Sequence, residues 1–343
     1  MRLGLYIFAS LTFMALVGAF TYTINSSYYV VEIMGININF PVAVWVVLPM
    51  LILLVFTVIH MVFYSLKSYF KLKKWQKDAD TLDDALYWSM VQEPKEQKYT
   101  IGKIASSANI LGQSKIEVLD NVEGLSPRLS KVLNVVNKIK NGDYVDLKDN
   151  KMSKVFTEGN PLLIKNRLNH LDHDPKFIEE VMKSPVSFSD PVRKKALAMF
   201  AQKESFFKAR KYAKVFDLNN FFVMMQRLNT EEDMELTTDI LDDFVAALNF
   251  NCNEFVRTAY ITKKQFSPDE NLALFKKYQS EYPKAQLSYL YLLFEYELMD
   301  EVGLYLDEQH ENDFVRARAL YSLKKANKNY KIEDLMNINT ICL

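Results

Sequence analysis

Between Arg2 and Lys67 the chain carries one charged side chain, Glu32, with an apolar run on either side of it. The runs, residues 3–24 and 42–64, each have the roughly 20 residues that a helix needs to cross about 30 Å of hydrocarbon. Two helices joined by a short loop are therefore expected to form a membrane hairpin. From about Lys67 onward the sequence is strongly charged and belongs in water.

The basic residues suggest an orientation. Lys67, Lys71, Lys73, Lys74 and Lys77 follow the second run, Arg2 precedes the first, and the loop between them has no Lys or Arg. Basic residues close to membrane ends stay on the cytoplasmic side, so both termini are expected inside and residues 25–39 outside. Tyr64, Tyr69 and Trp75 lie among these lysines, where aromatic rings favour the headgroup level. Lys67, Lys71, Lys73, Lys74, Trp75 and Lys77 are the candidate membrane-surface contacts, and anionic lipid adds about 1 kcal/mol per basic residue there. A simple stop-transfer flank has the same composition. A cleaved signal peptide is the rival reading of the first run, with Val17-Gly18-Ala19 as its small-residue site. The apolar run continues to Ile24, however, and one basic residue makes a poor n-region.

The external loop is patterned. β-prone residues 28–33 and 36–40 flank Gly35 and predict a small hairpin, with Pro41 opening the second helix. Pro49 predicts a kink that a membrane helix tolerates. His60, near the cytoplasmic end, is an intramembrane ionisable group and so a functional candidate, although a neutral imidazole there also serves structure.

This layout resembles a known one. Two spans are joined by a short β-rich loop, Asn25-Ser26-Ser27-Tyr28-Tyr29-Val30-Val31-Glu32-Ile33. A strand ending Asn39-Phe40-Pro41 then leads into the second span and a Lys-rich helix. Up to about Asp78, roughly a fifth of the chain, it resembles the lipopolysaccharide-assembly protein A (LapA) domain. It is also similar to the N-terminal part of the HemY family, in which two spans precede tetratricopeptide-type helices. The LapA family normally lacks a large tail, whereas this chain runs on to Leu343. The resemblance implies a Gram-negative inner-membrane adaptor in envelope biogenesis, with no catalysis of its own.

The charged part reads as all-α. Apolar residues recur mainly at spacings of three and four, with few alternating runs. Residues 79–125 are expected to hold a short amphipathic helix (Leu82, Leu86, Tyr87, Met90) and a linker, for which Thr100–Gly124 is rich in Ser, Ala, Asn and Gly, with Ile101–Leu111 as a weak helix the alternative within it. Residues 126–343 form the helical domain. Helix starts are expected at Ser126-Pro127, Asn160-Pro161, Asp174-Pro175, Ser189-Asp190-Pro191, Thr230-Glu231 and Ser267-Pro268-Asp269. From about 267 the pattern is repeat-like. Residues 286–298 pair with 302–306, and residues 315–326 pair with 332–336, about 30 residues later and near the ~34 of tetratricopeptide units. An irregular bundle is the alternative.

Few residues suggest catalytic chemistry. Lys and Arg total 42, as do Asp and Glu, so no net field draws nucleic acid. Cys252 and Cys342 match no metal or redox spacing and are expected to be free thiols in a reducing compartment. His170-Leu171-Asp172-His173-Asp174 is the densest run of metal-ligand types, but Pro175 follows and it reads as a capped helix end. No phosphate-binding Gly loop, Gly-x-Ser-x-Gly or His-Glu-x-x-His is present, so neither a cofactor nor an enzymatic activity is expected. Glu231, Glu232, Asp233 and Glu235 read as charge at a helix N-terminus, with Asp239, Asp242 and Asp243 continuing a solvated face.

Phe206, Phe207, Tyr212, Phe216, Phe221 and Phe222 form an aromatic stripe interleaved with basic residues. Such a stripe is usually core. Alternatively Phe206, Phe207, Tyr212, Phe221 and Phe222, with Tyr289 and Tyr296, line a peptide-binding groove; stacking on single-stranded nucleic acid is the remaining option. The expectation is a two-span membrane protein whose helical domain, a tetratricopeptide-like solenoid or an irregular bundle, scaffolds protein partners, a second copy among them. A lipid sensor with a helical output domain is the rival.

Overall fold

The computed structural model describes residues 3–33, 36–118, 122–231, 233–328, 330, 332–335 and 341–342. Among the described residues the fold is all-α apart from one hairpin. Two compact units divide at 133/134: unit Met1–Leu133, which holds the two long apolar helices, and the helical unit Asn134–Leu343.

In the first unit α1 (Leu3–Ile24) packs along α2 (Val42–Met90), and β1 (Tyr28–Ile33) pairs antiparallel with β2 (Ile36–Pro41) between them. The hairpin lies where the β-prone residues predict it; its Met34-Gly35 turn is outside the described residues. The indole Nε1 of Trp45 donates to the Tyr29 carbonyl at 3.0 Å, tying the hairpin to the first turn of α2. Pro41 ends the strand and caps α2 from outside the helix, and α2 continues through Pro49.

Both helices are long and apolar enough to cross a bilayer. Their apolar side chains are largely uncovered by protein. Only Met14 of α1 is buried, and Phe8, Phe20, Leu53 and Phe56 are each about two-thirds or more exposed. Soluble proteins rarely leave so many contiguous apolar side chains to water. With 49 residues at 1.5 Å each, α2 is about 70 Å long, more than twice the hydrocarbon thickness. The predicted short helix around Leu86 is therefore the far end of α2 itself. Within the Ser- and Gly-rich stretch the weak-helix alternative is the one found: α3 (Gly102–Ala108) and a 3-10 turn (Asn109–Gly112) lie against α2.

The division falls inside α4 (Pro127–Lys140). The helical unit continues with α5 (Pro161–His173), α6 (Pro175–Lys183), α7 (Asp190–Lys203), α8 (Phe206–Ala209), α9 (Leu218–Arg227) and α10 (Thr238–Leu248). It ends with α11 (Cys252–Thr262), α12 (Pro268–Glu281), α13 (Gln286–Glu295), α14 (Met299–Asp307), α15 (Val315–Lys325) and α16 (Ile332–Leu335). Five starts follow the predicted caps. Asn160 accepts from the Leu162 and Leu163 amides, Asp174 from Lys176, and Ser267 forms a capping box with Glu270. Thr230-Glu231 is not a start. The Thr230 hydroxyl donates back to the Arg227 carbonyl and Glu231 pairs with Arg227, which completes α9; the true cap of α10 is Thr237.

One apolar cluster runs through this unit from Leu171 to Ile341. Its spine is a row in which α5 touches α7, α7 touches α9, α9 touches α11 and α11 touches α13. Within α13 every residue from Ser288 to Phe294 is buried. Cys252 and Cys342 are not free thiols. They are joined in a disulfide with Cα atoms 5.9 Å apart, a pairing that folding creates across 90 residues of sequence.

Candidate functional site

On α2, Lys67, Lys71 and Lys74 recur at i, i+4 and i+7 and so share one face, while Lys73 and Lys77 sit on an adjacent one. All are exposed, as are Tyr69, Phe70, Leu72 and Trp75 between them. The arrangement places cations and half-exposed rings on one helix just beyond the apolar stretch. Five lysines near an anionic surface contribute at most about 5 kcal/mol, which is small beside two buried spans.

The lysine stretch ends on a built feature that sequence reading missed. Asp78 is fully buried. Its carboxylate accepts from the Thr100 amide at 2.9 Å, the Ile101 amide at 2.8 Å and the Thr100 hydroxyl at 2.8 Å, immediately before α3 begins. Burial alone pushes this carboxyl up, but the two amides and the hydroxyl outweigh it and hold it below its ordinary range. Further along α2, the buried Ser89 hydroxyl donates to the Leu111 carbonyl, and the Ser89 carbonyl accepts from the Ile116 amide. The Arg128 guanidinium lies 4.1 Å over the Tyr87 ring and pairs with Asp84. Residues 78–91 are thus wrapped by chain drawn from 95–128. Nothing in local spacing signals this, because Asp78 meets partners 22 and 23 residues away.

In the helical unit the aromatic stripe is spent mostly on the core. Phe206 and Phe221 are completely buried, Phe222 and Tyr289 nearly so, and Phe206, Phe221 and Phe244 meet edge to face or tilted within about 6 Å. Each such ring gains roughly 1.5–3 kcal/mol from burial, which a solvent-facing groove forgoes. Tyr212 and Tyr296 are partly buried against the same core, and the Tyr296 hydroxyl accepts from the Asn271 side chain at 3.1 Å. Phe207 alone of the seven is exposed, at 61%. These residues do not converge on one surface.

The acidic residues are also engaged. Asp242 pairs with Lys277 of α12 at 2.7 Å, and Asp243 pairs with Arg210. They bridge elements rather than forming a free solvated face. His170 and His173 do not converge on a metal. The His173 ring bonds to the Asn169 carbonyl, while His170 stacks between Tyr144 and Phe177. Among the described residues no cluster of three metal-ligating side chains occurs. His60 lies on the exposed surface of α2, 4.4 Å from the Tyr64 ring.

Comparison of the chain with known protein families, with curated proteins and with solved structures finds no match.

Proposed function

We propose that this chain is a membrane-anchored adaptor: a two-span hairpin holds it in a bacterial inner membrane, and the helical unit binds protein partners in lipopolysaccharide or envelope assembly. The observation that carries this reading is the row α5, α7, α9, α11 and α13, in which each helix packs on the next at intervals of roughly 30 residues. That is the contact pattern of a helical-repeat solenoid, in which neighbouring units bury a continuous core and leave an extended face for partners. The tetratricopeptide-like character and the cytoplasmic placement of both termini belong to the same proposal, the latter supported by the lysines after the second span. Confinement to a membrane raises the effective concentration of partners held there. The envelope pathway rests on the two-span, β-loop layout alone.

The test is crosslinking in intact membranes, followed by affinity purification and mass spectrometry. It uses the full chain, a Phe207→Ser variant, and a variant with Lys67, Lys71 and Lys74 changed to Gln. An adaptor enriches the same envelope-assembly or membrane-protease components in the full chain and the lysine variant, and loses some of them in the Phe207 variant if that ring is a contact. No enrichment over a tag-only control overturns the reading. Enrichment that vanishes with the lysines favours the lipid-sensor alternative.

A further inference from the structure

Along α2 large apolar side chains recur at alternating spacings of four and three: Ile52, Phe56, Ile59, Phe63, Leu66 and Phe70. Phenylalanine thus returns every seventh residue, with isoleucine or leucine between, and all six side chains are between 47% and 66% exposed. They lie on the side of α2 turned away from α1. Val47 meets Gly18 of α1, and Leu54, further along that same side, is buried. Ile52 and Phe56 each stand two residues from Leu54, about 200° round the helix. In the two-span reading hydrocarbon covers the first four seam residues. Leu66 and Phe70 lie beyond the apolar run, on either side of Lys67 in the sequence.

We propose that this seam pairs with the same seam of a second copy, forming a parallel two-helix coil from the middle of the second span to Phe70. The pairing rests on the two-span reading, which gives every copy the same orientation in the membrane. A seven-residue apolar repeat keeps one face of a helix against its neighbour as the two wind round each other. In a parallel, in-register pair each seam residue meets its own counterpart, so the surface is self-complementary about a twofold axis along the membrane normal. Half-exposed side chains of this size leave about 100 Å² each, so six remove about 600 Å² from each copy and about 1,200 Å² in all, where stable interfaces begin. Within lipid the gain comes from close packing of the rings, and beyond it Leu66 and Phe70 add removal from water.

Charge fits this pairing and sets its limit. Lys67 and Lys74 flank the seam on one side, with Val62 and Tyr69 on the other. Across a parallel pair Lys67 therefore faces the partner's Val62, and Lys74 faces the partner's Tyr69, whose ring attracts a cation. No lysine meets a lysine until the next two seam positions, which are Lys73 and Lys77. There like charges oppose each other and end the coil, just before buried Asp78 and the chain that wraps α2.

The experiment uses the full chain in intact membranes. Single cysteines are placed on the seam (Leu66→Cys, Phe70→Cys) and on the other side of the same helix (Ser68→Cys, Leu72→Cys). The unaltered chain controls for Cys252 and Cys342, and mild oxidation is read as dimer on non-reducing gels. The two seam positions are expected to give about fivefold more dimer than the other two. In a second arm, copies with two different tags are co-expressed and one is captured. Leu66→Lys combined with Phe70→Lys is expected to lower the co-captured copy about tenfold, while Leu72→Lys leaves it unchanged. Release of the unaltered chain from membranes by alkaline carbonate overturns the two-span reading and the pairing with it. A chain that stays in the membrane but crosslinks equally at all four positions or at none, or whose co-capture responds equally to Leu72→Lys, overturns the pairing alone.

Discussion

His170 has its ring centroid 3.8 Å from Tyr144 and 4.0 Å from Phe177, with the Tyr144 ring within 7° of parallel. Burial in this sandwich pushes the imidazole below its ordinary value of 6.5. Asp174, whose carboxylate is 3.7 Å from Nε2, pulls the other way and loses. A depressed pKa in the folded state means that only the unfolded chain takes up the proton just below 6.5. Stability present above that pH is therefore lost as pH falls through it. We expect the thermal transition to fall between pH 7 and pH 5, and His170→Phe, which keeps the stack and removes the titration, to flatten that slope. The check is thermal melting of both proteins across that range; an unchanged slope in the variant assigns the effect elsewhere. The sequence showed His170 as half of a possible chelating pair, because i, i+3 spacing says that two rings share a helix side and nothing about what lies against each. The same limit hid Asp78 and the cysteine pair, whose partners are 22 and 90 residues away. The lysines after the second span were legible because an abrupt change from apolar to charged is a local signal. The buried stripe was half legible: helical spacing puts rings on one side, and only packing decides whether that side meets core or water.

At the scale of single elements, the starts that sequence reading found were those whose cap and first turn lie within four residues, as at Asn160, Asp174 and Ser267. Thr230 misled because acidic residues after a Thr also suit a chain that is closing a helix, here through the Arg227–Glu231 pair. The helix over α3 and the 3-10 turn was only weakly legible, because a Ser- and Gly-rich composition normally marks a linker; α3 is held by the distant Asp78 rather than by its own propensity. Packing between elements sets an equally specific demand at Gly303 of α14. A Cβ there would lie 2.5 Å from the hydroxyl and 3.1 Å from the Cζ of Tyr321 on α15. Gly303→Ala raises helix propensity, by about 1 kcal/mol in favour of folding, but forces the Tyr321 ring away. Overpacking of this kind typically costs about 1–3 kcal/mol, so the net effect is destabilisation. Tyr321→Phe removes the closest atom, and the double variant is expected to recover part of the loss. A double-mutant cycle read by thermal or chemical unfolding checks this, and strictly additive effects would deny the contact.

For the whole molecule, the fold class was the most legible property, because every helix signal and the two apolar runs pointed the same way. The stacking row from α5 to α13 was less so, since it depends on contacts between helices about 30 residues apart that carry no shared consensus. The disulfide is the longest-range constraint in the helical unit, closing a loop of 90 residues between the start of α11 and the chain's end. Its effect on stability follows from that length. In the chain-entropy model a loop of this size removes about 4–5 kcal/mol of conformational freedom from the unfolded state at 25 °C. For a unit of this size each kcal/mol corresponds to about 2–4 °C, so reduction is expected to lower the melting temperature by about 10 °C. Cys342→Ser should melt at that lower temperature with or without a phosphine reductant, while the unmodified chain responds to it. Identical melting of the oxidised and reduced chain would show that the unfolded ensemble already holds these ends together, because a crosslink stabilises only to the extent that it forbids states the free chain would visit.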